Sequence, residues 1–153
     1  MNDHIDHIMA VMQAAFDPAF GEAWTRRQVE DALLKGNCRA VVIDDAGGVP
    51  GYGAAIAGFA LLRAVLDEEE LLLFAIDPAH RRQGLGAQLL QTIIAQSRQA
   101  GMRKIFLEMR RGNSAERLYA RYGFVVVGHR PDYYRSALNE PIDAASFALS
   151  LVE

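Results

Sequence analysis

The stretch that most restricts the fold runs from Leu71 to about Ala100. Leu71-Leu72-Leu73-Phe74-Ala75-Ile76 is an apolar run of strand length, Asp77-Pro78 breaks it, and Gln83-Gly84-Leu85-Gly86 is a glycine turn. Leu85, Leu89, Leu90, Ile93, Ile94 and Ser97 then recur at helical spacing and predict a long amphipathic helix. A buried strand feeding a turn and a helix is α/β architecture. It puts a helix N-terminus, with unpaired N–H groups and a positive dipole end, where glycines let a ligand's phosphates approach. Arg81 and Arg82 stand where they can add charge-assisted contacts. The turn therefore suits a pyrophosphate.

Two nucleotide readings of this turn fail. A P-loop needs Lys-Ser/Thr directly after its last glycine, and Gly86 is followed by Ala87-Gln88. A dinucleotide fold needs Gly-x-Gly-x-x-Gly/Ala straight off the strand, but Asp77–Arg82 intervene and Leu89 holds the third glycine position.

The rest of the chain supplies the partners for that unit. Ile5, Ile8, Met9, Met12 and Phe16 predict a helix ended by Asp17-Pro18. Thr25 and Gln28 form a capping box for a second helix, which Gly36-Asn37 closes. Strands are expected at Cys38–Ile43, Ala54–Val65, Leu71–Ile76, Lys104–Met109, Phe124–Gly128 and Ser146–Val152, with a short helix at Ser114–Tyr122. Asp44–Gly53 reads as a hairpin loop and Asp67–Glu70 as an acidic turn that could also attract a basic peptide. With no repeat and no linker, residues 1–153 read as one domain: a mixed central β-sheet flanked by helices.

Charge and cysteine usage narrow the partners. The net charge of −3 argues against a general grip on nucleic acid through its phosphates. It is unevenly spread, with 7 basic and 13 acidic groups in residues 1–97 and 9 and 6 in the remainder. Cys38 stands alone, which excludes an intrachain disulfide and fits a reducing compartment. Met1-Asn2-Asp3-His4 is acidic where a signal peptide would be basic, and no apolar run approaches the roughly 18 residues of a membrane span. A cytoplasmic protein without membrane attachment is expected. His4, His7, His80 and His129 lack carboxylate or cysteine partners at ligand spacing, so no metal is expected.

Arg81, Gly84 and Gly86 fit an Arg/Gln-x-x-Gly-x-Gly/Ala pattern that resembles the acyl-coenzyme A pyrophosphate loop of the GNAT superfamily of N-acetyltransferases. Moving an acyl group from a thioester to an amine requires a proton acceptor, oxyanion stabilisation and a proton donor for the departing thiolate. Glu108 shares a strand face with Phe106, opposite Ile105, Leu107 and Met109. It reads either as such an acceptor or as an ordinary carboxylate on a solvated face. Tyr119, beside Leu118 on a short helix, reads either as a donor or as an aromatic packed on the sheet.

Leu107-Glu108-Met109-Arg110, Asn113, Leu118-Tyr119, Gly123-Phe124, Arg130-Pro131-Asp132-Tyr133-Tyr134 and Asp143-Ala144 look like the RimI-type enzymes. These are GNAT proteins that acetylate the N-terminal alanine of a small-subunit ribosomal protein. The resemblance implies Glu108 as proton acceptor and Tyr119 as donor to the coenzyme thiolate. It implies that acetyl-CoA, as co-substrate, is held by Phe74, Ala75, Ile76, Arg81, Arg82, Gln83, Gly84, Leu85, Gly86 and Ala87, with Asn113 on the pantetheine arm. Tyr134, with Tyr133, is expected to contact an acceptor that is a basic N-terminal peptide of a ribosomal protein. Two departures stand out. Asn113 precedes Tyr119 by six residues instead of the family's usual seven, which leaves Gly112 and Asn113 as alternatives. Only Met1–His4 precede the first helix, so the strand that commonly opens this fold is expected to be missing or vestigial. Trp24 reads equally as a groove wall or as a staple for the second helix. The other functions weighed are acetylation of a small amine or lysine and a non-catalytic acyl-CoA-binding module, which would need neither Glu108 nor Tyr119.

Overall fold

Local sequence signals set most element ends in the structure, a computed structural model that describes residues 2–51, 53–135 and 141–152, with side chains for 4–51, 53–132 and 141–152. Its helices are α1 (Asn2–Ala15), α2 (Arg26–Leu34), α3 (Leu85–Gln99) and α4 (Glu116–Arg121). Its strands are β1 (Cys38–Ile43), β2 (Gly58–Val65), β3 (Glu68–Ile76), β4 (Lys104–Arg110), β5 (Val125–Arg135) and β6 (Pro141–Ser150). Thr25 caps α2 and Gln28 reaches back to it, as the capping box predicts. The described residues begin with α1, and no strand precedes it among them.

The sheet has the order β1-β2-β3-β4-β6-β5, and only β3 and β4 run parallel. The expected mixed sheet between helices is therefore present, with several strand ends corrected. β2 starts at Gly58 instead of Ala54, because Ala54 bonds back to Gly51 in the preceding loop. Glu68–Glu70 belong to β3, not to a turn, since each carboxylate meets a cation across the sheet: Lys104, Arg39 and Arg63 respectively. Asp67, in the turn itself, pairs with Arg103 at 3.7 Å. The acidic run is thus neutralised locally and offers no unpaired cluster to a basic peptide.

β5 runs on past the expected end at Gly128 to Arg135, through Pro131-Asp132. A register shift between Arg130 and Tyr134 absorbs those residues, and Asp132 takes φ 57° while its N–H donates to Asp143 Oδ1 at 3.0 Å. β6 begins at Pro141 because the extended β5 pairs with it there, Arg135 opposite Pro141 and Tyr134 opposite Ile142, and β4 joins on the other side from Ala144, overriding the weak strand preference of Pro, Asp and Ala.

The two faces of the sheet carry separate cores. Leu85, Leu89, Leu90 and Ile93 of α3 pack on Leu62, Ile105, Leu107 and Phe147. Ile8, Val11 and Met12 of α1 and Val29 of α2 pack on Phe59, Leu61, Leu73 and Ala75 on the other side. Strict alternation would put Leu71 and Leu73 on one face. Leu61 pairs with Leu73 but Leu62 with Leu71, so Leu72 has no partner and the faces exchange there. Leu71 consequently lies in the α3 core and Leu73 in the α1–α2 core, while Phe74 and Ile76 turn toward α3.

Candidate active site

β3 and β4 are paired only at Glu68↔Lys104, Glu69↔Ile105 and Glu70↔Phe106. Beyond those residues the strands diverge, and the irregularity at Leu72 follows at once, where a bulge bends and twists its strand. The result is a wedge-shaped cleft of about 780 Å³ between Leu71–Ile76 and Leu107–Arg110. Backbone groups of β3 that face it have no strand partner there. Because the opening lies within the sheet, it joins the two faces. Phe74, Ile76, Leu118 and Tyr119 line it from the α3 side, and Glu108, Arg110 and Trp24 from the α1–α2 side.

The start of α3 forms one end. Gly84 sits at φ 77° as N-cap and no side chain caps the helix, so the first-turn N–H groups have no side-chain acceptor. A Cβ at Gly84 would meet nothing within 4 Å, so its glycine is required by backbone conformation. Gly86 differs: a Cβ there would lie 3.4 Å from Leu118 Cδ2 and 3.8 Å from Ile76 Cγ1. These are ordinary contact distances, so packing leaves room for a Cβ at 86, and the residue lines the cleft. Arg82 takes φ 64°, a conformation that costs a non-glycine residue about 1–2 kcal/mol. Of the residues expected to hold a coenzyme, Phe74, Ala75, Ile76, Arg81, Arg82, Gly84, Leu85, Gly86 and Asn113 line the cleft; Gln83 and Ala87 do not. Arg81 is drawn aside to the Ala15 carbonyl at 3.4 Å. Asn113 Oδ1 accepts from the Ala115 N–H at 2.9 Å, which fixes the turn into α4, whereas Gly112 is not part of the cleft wall.

Tyr119 is buried and lines the cleft, with its ring 5.8 Å from Phe74 and 5.4 Å from Phe124. The side chain packs as an aromatic on the sheet and also reaches the cavity. Burial pushes its phenol well above the ordinary range, so it carries its proton throughout the neutral region. Glu108 is 24% exposed. Its Oε1 accepts from Ser146 Oγ at 3.3 Å and faces Arg130 Nη2 at 3.3 Å.

The segment between α1 and α2 closes the far side. Glu22 Oε1 accepts from Arg110 Nε at 3.1 Å, and the Arg110 guanidinium lies 3.8 Å over the Phe20 ring. Sequence reasoning missed both Glu22 and Arg110 as site residues. The available signal was a short segment between helices bearing Phe20 and Trp24. Trp24 lines the cleft and also packs on the α1–α2 core, so neither of its readings excludes the other. Tyr133 and Tyr134 lie in β5 by backbone, but their side chains are outside the described residues. Among the described residues no three His, Cys, Asp or Glu side chains gather as a metal site, and no helix is long and apolar enough to cross a membrane.

Residues 36–126 match the family model described as acetyltransferase (GNAT) domain. The ribosomal protein bS18-alanine N-acetyltransferase of Haemophilus influenzae is 42% identical over 79 residues, 52% of this chain and 54% of that protein. The chain thus spans about half the length of the curated relatives it matches. The crystal structure of the ribosomal-protein-S18-alanine N-acetyltransferase from Escherichia coli superposes with a TM-score of 0.83 at 27% identity, covering 100% of this chain and 91% of that one. The Salmonella typhimurium protein yncA, solved with its cofactor acetyl-CoA, shares the fold with a TM-score of 0.64 at 23% identity over 84% of this chain and 72% of that one.

Proposed function

The chain belongs to the GNAT acetyltransferase family, and from that premise we propose that it transfers the acetyl group of acetyl-CoA to the N-terminal α-amine of a protein, with the N-terminal alanine of a small-subunit ribosomal protein as acceptor. One observation carries the reading. The cleft passes through the sheet, with a helix N-terminus and a protonated phenol on one side and a carboxylate on the other.

The residues present fit the coenzyme. The uncapped start of α3, with Arg82 beside it, suits the pyrophosphate, and the unpaired edge of β3 can receive the amide-bearing arm as an added strand receives backbone bonds. The bound coenzyme supplies an activated thioester carbonyl. Glu108 accepts a proton from the acceptor's ammonium, leaving a neutral amine whose lone pair forms the new C–N bond as the C–S bond breaks. Tyr119 gives its phenolic proton to the departing sulfur; the second proton that the amine nitrogen loses as the amide forms restores the phenol through solvent, and Glu108 releases the proton it took to solvent. An α-amine of pKa ~8 needs far less help than a lysine near ~10.4, so a single carboxylate suffices. A reducing cytoplasmic setting fits both the lone Cys38 and a ribosomal acceptor.

The test is a panel of Ala-, Ser-, Met- and Lys-bearing peptides incubated with acetyl-CoA, with the acetyl group mapped by mass spectrometry. Label on the α-amine of an alanine-initiated basic peptide is expected. Labelling of an internal lysine with that peptide untouched overturns the acceptor and leaves the fold standing.

A further inference from the structure

We propose that Ser146 and Arg130 are positioning residues that hold Glu108 by one carboxylate oxygen and so present the other to the acceptor amine; this rests on the assignment of Glu108 as proton acceptor. Strand register puts these groups on one face. Glu108 of β4 pairs with Ser146 of β6, which pairs with Gly128 of β5, and in the next row Arg110, Ala144 and Arg130 follow one another. Ser146 Oγ and Arg130 Nη2 both meet Glu108 at Oε1, each at 3.3 Å. Among the described residues no hydrogen bond is made to Oε2.

The small residues in this lattice make the arrangement possible. Gly128 brings no side chain beside Ser146, and Ala144 stands between Arg130 and β4, so the Arg130 guanidinium reaches diagonally across β6 to Glu108. Arg110 is nearer along the chain but is committed to Glu22 and the Phe20 ring. A carboxylate that must take a proton along a defined line gains from having its other oxygen fixed, because a freely rotating side chain spends little time in the reactive orientation. A serine hydroxyl that donates and an arginine that carries charge both favour that one rotamer.

The experiment measures steady-state transfer from acetyl-CoA to an alanine-initiated basic peptide for Ser146→Ala, Ser146→Thr, Arg130→Gln and Arg130→Lys, each alone and with Glu108→Gln. Melting temperature and acetyl-CoA affinity are measured alongside. Ser146→Ala and Arg130→Gln should each lower kcat about tenfold, the scale of a lost hydrogen bond to a charged group, with acetyl-CoA affinity unchanged. Ser146→Thr and Arg130→Lys, which keep a hydroxyl and a charge, should recover most of the loss. In the Glu108→Gln background the same substitutions should cost nothing further, since they act through that carboxylate. Unchanged kcat in Ser146→Ala and Arg130→Gln, or an equal loss with and without Glu108, overturns the proposal. Full activity of Glu108→Gln by itself overturns the base assignment beneath it, which is a separate result.

Discussion

Glu108 and Tyr119 separate by what their replacement does to the pH profile. Glu108→Gln and Tyr119→Phe should each lower turnover by about 10²–10⁴-fold if they act as acceptor and donor, with acetyl-CoA affinity kept. Raising the pH toward and past the α-amine's ~8 should partly restore Glu108→Gln, because more acceptor arrives already neutral. It should not restore Tyr119→Phe, whose lost proton no solvent base replaces. Wild-type turnover in both variants would make them packing residues only. Strand alternation already put Glu108 opposite the apolar Leu107 and Met109. It could not show that Ser146, 38 positions along the chain, donates to it, because that contact exists only once β6 has inserted beside β4. The sequence marked Gly84 and Gly86 as a turn open to phosphates; that Gly84 takes φ 77° is seen only in the fold, where a Cβ at 86 would rest in ordinary contact with Leu118.

At the scale of elements, a buried polar cluster ties the N-terminal end of β3 to β1 and α3. Glu69 is 4% exposed and accepts from Arg39 and Ser97, with Arg39 Nε at 2.9 Å. Burial alone would push its carboxyl up, but the hydrogen bonds from Arg39 and Ser97 and the Arg39 charge together hold it below the ordinary carboxylate value of 4.5. A carboxyl whose folded-state pKa is depressed stabilises the fold above its unfolded pKa and loses that stabilisation as the pH falls through the folded one. The melting temperature should therefore drop as the pH is lowered below about 4.5, and Glu69→Gln should flatten that drop while lowering stability at neutral pH. An acid limb identical in the wild type and the variant would assign the effect to other carboxylates. The same cluster anchors the paired end of β3 and β4, leaving their far ends free to diverge.

For the whole molecule, the wedge in the sheet makes ligand binding a stability measurement. The two halves of the sheet meet through only three paired positions of β3 and β4, so a coenzyme in the cleft adds contacts to both. At a concentration near 100 times its Kd, acetyl-CoA should stabilise the fold by about 2.7 kcal/mol, raising Tm by roughly 5–10 °C for a chain of this size. ATP at the same concentration serves as the charge control, and equal shifts from both would remove specific coenzyme binding from the cleft. By itself the sequence determined the elements and the ligand class: local periodicity, caps and glycines act over a few residues, so α3, its N-terminal turn, the capping box and β1 were readable. The tertiary structure alone decided the face exchange at Leu72, the reach of β5 through Pro131-Asp132, the neutralisation of Asp67–Glu70 and the clamp of Arg110 on Glu22. Each depends on a partner distant in sequence, and strand register and ion pairing between distant segments leave no local periodicity to read.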